Sequence, residues 1–181
     1  MLIRASDSAL VVIDMQERLV PAMQAPARTL KNAKLLLQAA AACDVPCILT
    51  EQYPKGLGRT MPDLIAAAGS SPVIEKIHFS CLEENAFHQT FTALNRKQVV
   101  LAGMEAHICV VQTAMSLVEA GHEVFVVTDA TASRSHESEQ ASITRLSASG
   151  IGIVTTEMAV FEWLGRANTD AFKSLLPLIK Q

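Results

Sequence analysis

Hydrophobic positions along the chain follow two alternating habits. Short uninterrupted apolar runs such as ALVVI and VVLA recur between longer segments whose apolar residues return every three or four positions. Runs of the first kind, rich in β-branched side chains, suit parallel strands covered on both faces. They predict strands over residues 9–13, 45–50, 72–75, 99–102, 123–128 and 151–155. The second habit predicts amphipathic helices over 29–43, 85–94, 108–120, 138–149, 157–164 and 169–179, with a short one over 62–68. Gly121 and Gly150 stand where helices end. The segment 51–61, with one proline and two glycines, reads as a long surface loop, and 129–136 as a polar loop. Strand and helix alternate throughout, the signature of an α/β fold with a parallel sheet between two helical layers. No repeat, low-complexity stretch or boundary interrupts the pattern, so residues 1–181 are expected to form one domain.

Composition narrows the function classes. Half of the 181 residues are hydrophobic, enough for a sizeable core. The net charge of −3, without a basic tract, disfavours nucleic acid and anionic membrane surfaces as partners. No apolar run is long enough to cross a bilayer. The N-terminal apolar run is too short, and too soon followed by charge, to read as a signal peptide, so a cytoplasmic address is expected. A mean hydropathy of +0.27 suggests apolar surface hidden in a homo-oligomer, a dimer or larger. Cys43 and Cys47 have neither redox nor zinc spacing and read as core thiols; Cys81 falls in a loop, could be exposed and is assigned no chemistry.

In an open parallel sheet, ligands bind outside the carboxyl ends of the strands. Three groups fall there: Asp14 after the first strand, Lys76 after the third and Cys109 after the fourth. A thiol at a helix start is expected to lean toward thiolate, and a nearby ammonium adds to that. A carboxylate can take the thiol proton and later activate water. Taken singly, each residue has an ordinary reading: a structural ion pair for Asp14 and Lys76, a small buried hydrophobe for Cys109. Three complementary groups at three strand ends favour chemistry. Gln16, Tyr53 and Phe79, just past the first three strands, are candidate substrate-binding walls. Trp163, the one tryptophan, is expected in the core or an interface.

The combination of ALVVIDMQ, a lysine after the third strand, GMEAHICVVQTA and VVTDATASRS resembles the isochorismatase-like cysteine hydrolases, over nearly the whole chain. TEQYPKGLGRT is most similar to the isochorismatase-domain hydrolases of that superfamily, which also holds nicotinamidases and N-carbamoylsarcosine amidases. The resemblance implies a Rossmann-like six-stranded sheet and an Asp14–Lys76–Cys109 catalytic triad. It also implies a cis peptide between Met104 and Glu105, and an oxyanion hole from the backbone N–H groups of Glu105 and Cys109. Nicotinamidases carry an Asp and paired histidines after the second strand to hold a metal. Here that segment has no histidine, so no metal and no other cofactor is expected.

The expected activity is cleavage of a small amide or related C–N bond through a thioester on Cys109. Two alternatives remain open: isochorismatase-type vinyl-ether hydrolysis with Asp14 as acid, or a non-hydrolytic thiol-redox or binding protein. The expected partner is a small-molecule substrate. Arg59 and Arg134 are the cations placed to meet a substrate carboxylate, although either could be solvated.

Overall fold

A computed structural model describes residues 1–180. Its strands are β1 (Ser8–Ile13), β2 (Cys47–Gln52), β3 (Val73–Lys76), β4 (Gln98–Met104), β5 (Glu123–Ala132) and β6 (Gly152–Val154). They form one sheet in the order β3-β2-β1-β4-β5-β6, every pair parallel. The helices are α1 (Pro26–Ala42), α2 (Pro54–Leu57), α3 (Pro62–Ala68), α4 (Asn85–Ala93), α5 (Val111–Glu119), α6 (His136–Ala148), α7 (Thr156–Leu164) and α8 (Asp170–Ile179). The three-layer α/β sandwich expected from the alternation is the fold observed.

Period-two alternation within each central strand builds two cores. Leu10, Val12, Leu49, Val100, Ala102 and Val127 face α1, α7 and α8, meeting Leu36, Leu37, Trp163 and Leu175. Ala9, Val11, Ile13, Ile48, Leu101 and Val126 face the other way, onto Phe87, Phe91, Leu117 and Leu146. Each fully buried side chain of this size contributes about 1.5–3 kcal/mol. Trp163 belongs to the first core. Thr155 and Thr169 cap α7 and α8 by accepting from Met158 N–H and Phe172 N–H.

β4 lies tight against β1 at Gly103, whose φ is +139°. A Cβ there would lie 2.2 Å from the carbonyl oxygen of Ile13 and 2.6 Å from its nitrogen. Only glycine fits. At the same point the β4–β5 register shifts, from Leu101 opposite Val126 to Gly103 opposite Thr131. The shift carries β5 on to Ala132, so the first part of the expected 129–136 loop is strand instead. Ala130, Thr131 and Ala132 are buried, and a polar-looking sequence concealed that role. The expected 51–61 loop is also partly ordered: Glu51 and Gln52 complete β2, and Pro54–Leu57 forms a helical turn.

Candidate active site

Three strand ends converge at the carboxyl edge of the sheet. Asp14 leaves β1 with φ +54°, a left-handed conformation that aspartate tolerates better than most residues. Lys76 ends β3, two strands away, with β2 between. Two strand spacings are about 10 Å. The lysine arm and the aspartate side chain close that gap, and Lys76 Nζ donates to Asp14 Oδ2 at 2.7 Å. Neither side chain is exposed to solvent. Lys76 Nζ donates further to Gln52 Oε1 at 2.7 Å and reaches the His78 and Phe79 carbonyls at 3.3 and 3.5 Å. An ammonium has three protons, so the protein can occupy all of them. What Lys76 can offer beyond those partners is its charge.

Asp14 is held on its other oxygen as well. Thr50 Oγ1 donates to Asp14 Oδ1 at 2.7 Å, inside the core. The backbone adds a bond from Asp14 N–H to the Thr50 carbonyl at 3.1 Å.

Cys109 sits in a π-helical turn, Ala106–Val110, that runs directly into α5, rather than at the start of a regular helix. Its exposure is 6%. The thiol differs from the sequence expectation of a lowered pKa. Its pKa is raised to about 12: burial is the largest cause, the Asp14 carboxylate also raises it, and the Lys76 ammonium pulls it down. Desolvation and a facing carboxylate outweigh the ammonium and the helix end. The resting site therefore holds a neutral thiol beside an ammonium–carboxylate pair. The pKa of Lys76 is raised too: burial opposes its charge, but the Asp14 carboxylate favours it by charge and hydrogen bond, and the pKa stands above the usual lysine value.

The peptide bond between Met104 and Glu105 is cis. The Glu105 side chain turns away to a polar cluster, with Arg134 Nε 2.7 Å from Oε1 and His107 Nε2 3.7 Å from Oε2. His107 Nδ1 in turn meets Ser133 Oγ at 2.9 Å. Arg134 is thus anchored by Glu105, while Arg59 pairs with Glu51 and Glu75.

The three expected pocket walls separate. Tyr53 lines a pocket of about 330 Å³ outside the ends of β2 and β3, together with Pro54, Lys55 and Ile77. Its ring packs over Gly56, where a Cβ would come within 2.5 Å of it. Phe79 is 53% exposed in the loop after β3. Gln16 differs from its expected place on a wall: it is wholly buried, donates to the carbonyls of Gln52 and Gly58 and accepts from Gln52 N–H. Three hydrogen bonds make it the clamp between the β1 and β2 loops, because an amide side chain lost from solvent must find partners.

Cys81 also differs from expectation. It is fully buried behind the site, its N–H bonded to Thr113 Oγ1 at 3.0 Å and its thiol 4.0 Å from Thr50 Oγ1. Burial raises it to about 11. Thr50 and Gln52 escaped sequence reasoning. Their signal is the switch from Ile48 to two polar residues on one face of β2, legible once the strand is known to end beside the site.

A parallel three-layer α/β sandwich with a buried aspartate–lysine pair and a cysteine at the switch between β1 and β4 defines a narrow class of proteins. The isochorismatase-domain family profile matches residues 8–158, and the chain belongs to that family. Isochorismatase domain-containing protein 2 of Danio rerio is 38% identical over 172 residues, covering 95% of this chain and 86% of the fish protein. The Bos taurus protein of the same description is 37% identical over 181 residues, covering 96% and 83%. A Caenorhabditis elegans structure described as MAR1 ribonuclease superposes with a TM-score of 0.94 at 34% identity, over 100% of this chain and 93% of its own. YcaC of Escherichia coli, described as an octameric hydrolase of unknown specificity, shares the fold with a TM-score of 0.93 at 24% identity, over 98% and 90%.

Among the described residues no group of three or more His, Cys, Asp or Glu could hold a metal ion. No helix among them is long and apolar enough to cross a membrane.

Proposed function

We propose that residues 1–181 act as one cysteine hydrolase domain that cleaves a small amide or related C–N bond. The observation that supports this most is the fully buried Lys76–Asp14 pair at 2.7 Å, charged groups without solvent beside an otherwise inert thiol. When a carbonyl substrate enters, Asp14 takes the Cys109 proton and the sulfur attacks the acyl carbon. The backbone N–H groups of Glu105 and Cys109 receive the charge that develops on oxygen. The proton passes from Asp14 to the departing nitrogen, leaving a thioester. Asp14 then deprotonates a water that attacks the thioester, and the acid departs as the thiol regains its proton. Lys76 keeps the site electropositive while the sulfur carries charge. Tyr53 and Phe79 border the entrance, and Gln16 holds the loops that carry it.

The substrate we propose is a small molecule rather than nucleic acid. The net charge of −3 without a basic tract supports this, and the word ribonuclease belongs to the nematode protein. Four free cysteines accord with a reducing, cytoplasmic setting. Exposed Tyr53, Ile77 and Phe79 beside the site accord with a homo-oligomer. The test is a panel of small amides and ureides with Cys109→Ala as blank, followed by intact-mass detection of an acyl adduct. Turnover that disappears with the thiol, together with an adduct on Cys109, is the expected result. Turnover at the wild-type level in Cys109→Ala removes the covalent route.

A further inference from the structure

The proposed chemistry asks Asp14 to accept a proton from one direction, yet a carboxylate on a short side chain can swivel. Two residues of β2 stand where they can prevent it. Ile48, Thr50 and Gln52 lie on one face of the strand, by its period of two. Ile48 packs into the core formed with α4, α5 and α6. The next two positions on that face turn polar as the strand reaches the site.

Thr50 is 1% exposed, and a valine of the same shape would satisfy the packing there. A buried hydroxyl is unfavourable unless it is bonded. Here the hydroxyl is committed: it donates to Asp14 Oδ1 at 2.7 Å and lies 4.0 Å from the Cys81 thiol, the donor on its other side. Thr50 also grips Asp14 through its own carbonyl. Gln52 does the matching work for Lys76. Its Oε1 accepts from Nζ at 2.7 Å, while its Nε2 donates to the Ile77 carbonyl at 2.9 Å, which fixes the amide the right way round. Its backbone N–H is held by Gln16. Asp14 is therefore pinned at both oxygens, by Thr50 and by Lys76, and Lys76 is itself pinned by Gln52.

We infer that Thr50 and Gln52 are positioning residues for the Asp14–Lys76–Cys109 site: through Asp14 and Lys76 they set the carboxylate that draws the proton from the Cys109 thiol. The inference rests on the proposed roles of those three residues. It does not require the substrate to be known, because the thiol can be read directly.

The experiment measures the second-order rate of alkylation of Cys109 by iodoacetamide at neutral pH on the full chain. Peptide mass spectrometry counts modification at residue 109, with Cys109→Ser as blank. Thr50→Val, which keeps shape and removes the hydroxyl, is expected to lower the rate about tenfold, since small displacements of a reacting group carry penalties of that order or more. Thr50→Ser, which restores the hydroxyl, is expected to recover most of the rate. Gln52→Met, which removes the acceptor from Nζ, is expected to lower it as well. Melting temperatures show that each variant compared is folded. Wild-type rates in folded Thr50→Val and Gln52→Met overturn the inference. So does a loss in Thr50→Val that Thr50→Ser shares in full. Because alkylation is independent of amide turnover, a failed amide screen with these rate changes intact sinks only the hydrolase reading. Unchanged rates beside a Cys109-dependent amidase sink only the positioning.

Discussion

Replacing Lys76 by methionine isolates the central electrostatic feature of the site. The aliphatic arm keeps much of its volume, so packing changes little, but Asp14 Oδ2 loses a donor at 2.7 Å in a place without solvent. Thr50 still serves the other oxygen. Removing one partner of a buried pair costs about 3–5 kcal/mol, because the remaining charge is left uncompensated. Coulomb's law gives a similar figure, about 4 kcal/mol for unit charges 4 Å apart at an effective dielectric of 20. For a chain of this length that corresponds to a fall of roughly 10 °C in melting temperature. The double variant Asp14→Asn/Lys76→Met removes both charges and is expected to recover much of the loss. Urea unfolding at neutral pH, followed by far-ultraviolet circular dichroism with the m-value monitored, gives the free energies. A loss below about 1 kcal/mol in Lys76→Met, or a double variant as unstable as the sum of its singles, refutes the buried-pair account. In the same variant the Cys109 thiol loses the ammonium that lowers its pKa, so its alkylation is expected to slow.

Other perturbations follow from the same structure. Gly103→Ala forces a Cβ to within 2.2 Å of the Ile13 carbonyl; it is expected to cost about 3 kcal/mol or more, or to prevent soluble expression, as an unfolding curve or expression yield will tell. Burial opposes the charge on Glu51, but Thr60 and Arg59 more than offset it and hold its pKa below the ordinary carboxylate value. Its stabilisation is therefore complete above the unfolded value near 4.3 and fades as pH falls toward the folded one. Glu51→Gln should flatten the acid side of a stability-versus-pH curve, and an unchanged acid limb would contradict this. Cys81, buried and raised to about 11, should resist alkylation at pH 8 until urea unfolds the chain; modification in the native protein contradicts its placement.

The legible parts of this sequence were those governed by local pattern. Runs such as ALVVI and VVLA had to be strands buried on two sides, and their alternation with helices implied parallel pairing and a common carboxyl edge. The strand order was not in the pattern. Nothing local says that β3 and β1 flank β2, so nothing local says that Lys76 must reach over Gln52 to meet Asp14. Gln16 and Tyr53 both follow strands and look equivalent on paper. One is sealed in by three hydrogen bonds and the other left open by the long-range path of the β2 loop. Cys81 looked exposed because its surroundings, HFSCLEEN, are polar. It is buried in the core shared with α4 and α5, its N–H held by Thr113, a distant residue on α5. The thiol's pKa was misjudged for a related reason: helix position and a nearby lysine are visible in one dimension, whereas desolvation is not.

The position of β1 has a kinetic side. Its two neighbours in the sheet are β2, which follows soon after, and β4, which begins at residue 98. Asp14, Lys76 and Cys109 meet only after the chain has closed loops of great sequence separation, and such contacts form late because loop entropy must be overcome first. The native surroundings of Cys109 should thus form late during refolding, after helical signal has returned, so that the passage of this one sulfur from open to buried thiol marks completion of the sheet.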